Sequence, residues 1–210
     1  QRQFGEPLLS QPHGGFMPSL RQQLRSKRRS LSQSEQISAS AALTQRLVTD
    51  LSIITAKKVA LYLPDDGEID PTPFMFWCHS VGKQVYLPLL SEDLLHNSSS
   101  LLFQEYIPGI TKLQKNKFGM PEPRFDFHQC IRASLLNLVL LPLVGFDRNR
   151  NRVGRGKGYY DKTFSAAINS FHRPKLVGLA HSIQETSVQP KPWDVQLDAI
   201  FTEREKVSGE

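Results

Sequence analysis

The stretch Arg152-Val153-Gly154-Arg155-Gly156-Lys157-Gly158-Tyr159-Tyr160-Asp161 alternates glycines with cations and ends in two tyrosines and a carboxylate. Glycine reaches positive φ and lets a ligand approach main-chain N–H groups closely, so alternate glycines suit a loop wrapped around an anion. Arg155 and Lys157 add full positive charges. A helix predicted over residues 161–168 would aim its N-terminal dipole at the same point. The apolar run 138–144 just upstream reads as a strand. Strand, glycine-basic loop and helix together make a phosphate site; the plainer alternative is a solvated, turn-rich basic hairpin over residues 147–152. The spacing is not that of the standard P-loop, because Gly158 rather than Ser or Thr follows Lys157. Nor is it the dinucleotide fingerprint, because Gly154-x-Gly156-x-Gly158 lacks the G-x-G-x-x-G step.

Two further carboxylates could serve such a site. Magnesium takes hard oxygen ligands, commonly one or two carboxylates completed by phosphate oxygens and water. Asp161 ends the phosphate motif and can reach it; Asp194 is a second candidate, equally readable as a turn cap. Glu68 follows a strand end and an Asp65-Asp66-Gly67 turn. A carboxylate there could accept paired N–H bonds from an aminopyrimidine edge, although an exposed turn residue is the simpler reading. Tyr159, Tyr160, Phe118 and Trp193 could wall an aromatic ligand or belong to the core. His79, His96, His128, His172 and His181 are scattered, and no Ser/His/Asp or His/Cys spacing emerges.

The elements that must position these groups follow from the rest of the chain. At 210 residues it is long enough for one substantial core. An apolar content of 39% against 22% charged is an ordinary globular balance. The net charge of +6 suits an anionic partner, with Arg21, Arg25, Lys27, Arg28 and Arg29 crowded into one segment. Taken alone, that segment reads equally well as a solvated basic helix face. Cys78 and Cys130 are too few for a disulfide framework, so a reducing, cytoplasmic setting is expected. No run approaches the ~18 apolar residues of a membrane span, and residues 1–16 hold no continuous apolar region of a signal peptide.

Residues 1–18 read as a flexible N-terminal extension, with Met17 a candidate initiator, and residues 19–210 as a single domain. Ser19 is a candidate N-cap for a helix carrying Leu20, Leu24 and Leu31 near one face. A weak capping box, Ser32 to Glu35, opens a second helix whose buried stripe is predicted as Ile37, Ala41, Leu43, Leu47 and Leu51. Strands are predicted over 58–64, 84–88, 101–106, 136–141, 175–180 and 199–202, and a helix from Pro71 and Pro73 to near Gly82. The segments 91–100 and 112–127 read as loops, the second because Gly119-Met120-Pro121-Glu122-Pro123 is too proline-rich for a core element. Alternating strands and helices predict an α/β fold with a mostly parallel sheet and ligands at the carboxyl ends of its strands.

At these residues the chain resembles a known family. The motif 152–161, preceded by Leu141-Pro142-Leu143-Val144-Gly145-Phe146-Asp147, is similar to the signature of the 5-formyltetrahydrofolate cyclo-ligases, also called 5,10-methenyltetrahydrofolate synthetases. Four more stretches agree in order: Leu20-Arg21-Gln22-Gln23-Leu24-Arg25, Asp66-Gly67-Glu68-Ile69, Gly119 to Pro123, and Trp193-Asp194 with Leu197-Asp198. The resemblance spans about residues 19–202. It implies a three-layer α/β/α fold of the ribose-phosphate isomerase/CoA-transferase type. It also implies an ATP- and Mg²⁺-dependent cytoplasmic ligase acting on 5-formyltetrahydrofolate, a monomer or weak dimer with no nucleic-acid or membrane partner. By the same resemblance, Arg21, Arg152, Val153, Gly154, Arg155, Gly156, Lys157, Gly158, Tyr159 and Tyr160 would hold ATP. Leu63 and Glu68 would hold the folate, bordered by Arg155, Gly156, Lys157, Gly158 and Tyr159. Asp161 and Asp194 would hold the metal, and Arg155 and Lys157 would carry the catalytic charge. One position departs from the family pattern: Met17 stands where members often carry a lysine. The rival expectations are a folate- or nucleotide-binding protein on the same fold without turnover, and a nucleic-acid-binding module built on the basic helix.

Overall fold

The computed structural model describes residues 18–90, 100–165 and 173–209. Met17, the extension before it and part of the predicted loop 91–100 lie outside those residues. The elements begin with α1 (Leu20–Arg29), α2 (Gln33–Leu47), α3 (Leu51–Ile54), β1 (Lys58–Ala60) and α4 (Thr72–Ser80). Next come β2 (Gln84–Leu90), β3 (Leu101–Glu105), β4 (Leu113–Lys115), β5 (Pro121–Pro123) and β6 (Cys130–Ile131). The chain continues through β7 (Leu138–Pro142), β8 (Gly145–Phe146), β9 (Arg152–Val153) and α5 (Tyr159–Phe164). It ends with β10 (Lys175–Leu179), β11 (Ala199–Phe201) and β12 (Lys206–Ser208).

Local chemistry starts the helices where the sequence suggests. Ser19 and Ser32 each close a full capping box, with Gln22 and Glu35 respectively, and Asp50 caps α3. Proline opens α4, and Gly82 follows it at φ 75°. The main sheet runs β12-β11-β10-β7-β1-β2-β3-β6. Its centre, from β11 to β2, is parallel, and antiparallel strands finish both edges.

The fully apolar β7 lies between β1 and β10, where both faces are covered. Leu138 and Leu140 enter a core with Leu43, Leu47, Phe74, Met75 and Val177 beneath α2 and α4. Val139 and Leu141 point the other way, toward Phe103, Phe146, Phe164 and Ile200. Helices therefore cover one face, and α5 with the segments around Phe146 and Val195 covers the other. The α/β, mostly parallel expectation holds.

Several expectations change. On α2 the buried face is Ala39, Ser40, Leu43 and Leu47, whereas Ile37 is 63% exposed, Leu51 is 75% exposed and Ala41 also faces outward. Ala39, Leu43 and Leu47 step by four residues, and positions two away from such a row fall on the opposite side of a helix. Leu51 belongs to α3, after a break in the helix. The predicted strand 58–64 is regular only over β1, although Leu61 still donates to the Tyr86 carbonyl. The proline-rich segment is a two-stranded ribbon, β4 against β5, with Gln114 opposite Glu122. It forms because it stands outside the main sheet, where a missing N–H is tolerated. The helix after the glycine loop starts at Tyr159 rather than Asp161; residues 166–168 of the prediction lie outside the described residues.

The stripe correction is testable by urea unfolding. Leu43→Ala should lower stability by about 2–5 kcal/mol, and Ile37→Ala should change it by no more than about 0.5 kcal/mol. Equal losses at both positions would put Ile37 back in the core.

Candidate functional site

The candidate residues gather where the parallel strands end at their carboxyl edge. Just past β1, residues 65–68 close a tight turn in which the Glu68 N–H donates to the Asp65 carbonyl at 3.1 Å. Its central residues, Asp66 and Gly67, have φ of 56° and 73°, the mirror-image turn that Asp-Gly favours. Gly67 is required twice over: a Cβ there would also sit 3.2 Å from the Arg28 carbonyl oxygen. The turn is thus pressed against α1.

What meets it on α1 is a row of guanidiniums. Arg25 Nε donates to Asp66 Oδ2 at 2.6 Å, and Arg29 bonds Asp66 Oδ1. Arg28 is wholly buried. Its Nε donates to the Asp66 carbonyl at 2.7 Å, Nη2 to Asp66 Oδ2 at 2.8 Å and Nη1 to the Leu143 carbonyl, past β7, at 3.2 Å. Gln184 donates to the same Leu143 carbonyl at 2.7 Å, beside the buried His181. A solvated face therefore describes only part of the basic helix. The signal was present: Arg28 lies one turn after Leu24, on the face that packs against Val144 and Val153.

Glu68 is also buried, its side chain 4% exposed, so the reading as an exposed turn residue is corrected. Its Oε1 accepts from Arg155 Nε and Nη2 at 3.1 and 2.7 Å, and Arg28 Nη2 lies 3.8 Å from the same oxygen. Arg155 also reaches Asp65 Oδ2 at 3.0 Å and the Met120 sulfur at 3.2 Å. This single side chain ties the glycine loop to the carboxylate turn and to the β4–β5 ribbon. Lys157 Nζ stands 5.7 Å from the ring centre of Phe118 at the tip of that ribbon.

The glycine loop is shaped as its composition suggests. Gly156 and Gly158 have φ of 100° and 68°, and nothing lies within 4 Å of where a Cβ would stand on Gly154, Gly156 or Gly158. Arg21 Nε donates to the Gly154 carbonyl at 2.9 Å, so α1 braces this loop as well. The hairpin reading is also right just upstream, since β8 and β9 pair around residues 147–151. Val153 faces the small core of Leu24 and Val144, and its carbonyl accepts from Val144, so it has little to offer a ligand. Tyr159 and Tyr160 pack on the core beside the loop, and Leu63 packs on the opposite face's core, at the end of the β1 segment. Trp193 is 64% exposed, with Lys191 over its ring, and is not part of the core.

Asp161 and Asp194 come to one turn. Asp161 Oδ1 is bonded by Arg152 and accepts the Val195 N–H at 3.0 Å, and Val195 directly follows Asp194. Asp194 does cap a turn, its Oδ2 accepting the Lys191 N–H at 2.9 Å. Among the described residues no group of three His, Cys, Asp or Glu side chains is placed to hold an ion. Two carboxylates are too few for a protein cage, so a magnesium ion at this place would have to be held largely by phosphate and water.

Charge sets the ionisation of the turn. Burial pushes the Asp66 carboxyl up, but the hydrogen bonds from Arg25 and Arg29 and the charge of Arg28 outweigh it and hold it at about 2. Burial pushes the Glu68 carboxyl above its usual range, against the pull of Arg155 and then Arg28. Burial and the Glu68 charge likewise raise the Tyr62 and Tyr160 hydroxyls.

The sequence model of the 5-formyltetrahydrofolate cyclo-ligase family matches residues 16–203. The chain belongs to that family. Among its relatives, the 5-formyltetrahydrofolate cyclo-ligase of Haemophilus influenzae is 34% identical over 183 residues, covering 87% of this chain and 95% of the relative. The Escherichia coli (strain K12) protein of the same name is 32% identical over 180 residues, covering 85% and 96%. The NMR structure of Aquifex aeolicus 5,10-methenyltetrahydrofolate synthetase superposes with a TM-score of 0.73 at 28% identity, covering 90% of each chain. A 5,10-methenyltetrahydrofolate synthetase from Mycoplasma pneumoniae gives 0.65 at 27% identity, covering 88% of this chain and 96% of that one.

The Asp66 network makes a pH prediction. Its folded pKa of about 2 lies below the ordinary 3.8, so its contribution to stability is full above the ordinary value and fades as pH falls toward 2. Asp66→Asn should lower stability at neutral pH and flatten the acid loss over that window in urea titrations. An unchanged acid limb would show that the guanidiniums do not hold this carboxylate.

Proposed function

We propose that this protein converts 5-formyltetrahydrofolate and ATP into 5,10-methenyltetrahydrofolate, ADP and phosphate. The observation that carries the reading is the meeting of Arg155, from the glycine-basic loop, with the buried Glu68 at the sheet's carboxyl edge, in a chain of the cyclo-ligase family. One group suits phosphate and the other an aminopyrimidine edge, and a reaction that phosphorylates a folate needs both within reach of each other.

A formamide carbon is a poor electrophile and its oxygen a poor leaving group. Attack of the formyl oxygen on the γ-phosphorus forms an O–P bond as the bond to ADP breaks. The resulting iminium phosphate is open to the N10 amine, which bonds the formyl carbon and loses its proton. Phosphate then departs with the C–O electron pair, and the ring is closed. The protein supplies position and charge; no nucleophilic side chain is required.

In this reading Arg155, Lys157 and the N–H groups of the open loop from Gly154 to Gly158 cradle the transferring phosphoryl group. Arg21 and Arg152 hold the nucleotide phosphates, and Leu63 and Glu68 hold the pteridine. Asp161 and Asp194 hold Mg²⁺, which would neutralise charge on the phosphates. Cytoplasmic residence is part of the proposal. Among the described residues no helix is long and apolar enough to cross a membrane.

Near-ultraviolet absorbance tests the reaction, because the methenyl product has a conjugated bridge that the substrate lacks. A new band requiring protein, ATP and Mg²⁺, and lost on chelation, is expected. Folate binding by folded protein without that band would contradict turnover. Lys157→Ala should lower kcat by about 10²-fold or more while the folate Kd stays within about threefold. Equal losses in both, measured in single-turnover mixing, would remove Lys157 from phosphoryl transfer.

A further inference from the structure

The carboxylate turn faces cations of two kinds. Arg155 comes from an open glycine loop, and its side chain is 36% exposed. Arg28 comes from within, 0% exposed, fixed by the Asp66 carbonyl, the Asp66 carboxylate and the Leu143 carbonyl. Both approach the same atom, Glu68 Oε1, at 2.7 and 3.8 Å, while Oε2 accepts the Asp65 N–H at 3.2 Å. The remaining titratable and charged neighbours are Asp65 and Asp66 on the turn, Arg25 and Arg29 on the Asp66 carboxylate, the buried His181 against Gly67 and Arg28, the Tyr62 hydroxyl bonded to the Ile69 carbonyl, and Tyr160 of α5.

On the proposed reading these two cations cannot share one role. Arg155 must serve phosphate, and Glu68 must present its oxygens to the pteridine N–H groups, so their mutual bond has to open. A carboxylate 4% exposed would then be left in a low-dielectric site, where ionisation is costly without a countercharge. Arg28 is the cation that stays. Its three acceptors all belong to the protein and none is a group assigned to either substrate, and its 3.8 Å distance from Oε1 leaves that oxygen open to a closer donor. We infer that Arg28 is the positioning residue of the folate subsite, keeping Glu68 ionised and oriented after Arg155 turns to the nucleotide. Arg28 touches neither substrate and acts through Glu68.

Because this rests on the cyclo-ligase reading, the test starts from wild-type protein active in the absorbance assay; an inactive wild type would refute that reading instead. Arg28→Met and Arg28→Lys are compared, each first checked by circular dichroism and thermal melting. Arg28→Met should raise KM for 5-formyltetrahydrofolate about tenfold or more while KM for ATP moves less than about twofold. Removing the cation raises the cost of ionised Glu68, so the acid limb of kcat/KM for folate should shift to higher pH. Arg28→Lys, which keeps the charge, should recover part of both effects. In a Glu68→Gln background, Arg28→Met should add less than about twofold. Folded Arg28 variants with unchanged folate KM and acid limb would overturn the inference. So would a full-sized Arg28→Met effect in the Glu68→Gln background. If Arg28→Met does not fold, the Arg28→Lys comparison with and without Glu68→Gln decides by the same criteria.

Discussion

The structure depends on a buried guanidinium pressed against an inverted turn. Arg28 joins α1, the Asp66–Gly67 turn after β1 and the Leu143 carbonyl after β7, so it fixes three separate parts of the carboxyl edge to one another. Its burial opposes its charge, and the neighbouring Glu68 and Asp66 carboxylates offset only part of that cost. Breaking such a buried pair from one side typically costs about 3–5 kcal/mol, because the partner is left charged and dry. The close approach in turn demands Gly67, and the positive φ of Asp66 is held in place by three arginines. Three arginines and the contact with α1 thus hold the turn that carries Glu68.

In the proposed reading, the two substrate subsites are joined on this base by a bond that must be exchanged. Arg155 bridges Glu68, Asp65 and Met120, spanning from the glycine loop to both the turn and the β4–β5 ribbon. An ion pair between groups meant for different ligands couples those ligands: whichever binds first relieves the other of part of the cost of opening it. With this pairing the Glu68 side chain is 4% exposed. Arg155 stands on a loop of open glycines, whereas Arg28 is wholly buried and bonded on three sides.

The chain's α/β character was legible because strands and helices alternate and β7 is apolar on both faces. The caps at Ser19 and Ser32 and the proline start of α4 were legible because capping is local chemistry. The glycine-basic loop was legible for the same reason, since its residue types state what the backbone there can do. Other features depended on distant partners. Glu68 looked like an exposed turn residue until α1 and Arg155 closed over it. Arg28 was hidden among four other cations, and only its position one turn past Leu24 hinted at burial. Ile37 is as apolar as a core residue, but the phase set by Ala39, Leu43 and Leu47 turns it to the outside. The β4–β5 ribbon was missed because prolines forbid a central strand but not a small peripheral pair.

The most direct measurement is a crystal structure of the protein with a non-hydrolysable ATP analogue, Mg²⁺ and 5-formyltetrahydrofolate. The account predicts the pteridine edge on Glu68, the triphosphate against Arg155 and Lys157, the Arg155–Glu68 bond opened, and Arg28 unmoved. Ligands bound elsewhere, or both bound with Arg155 still on Glu68, would contradict it.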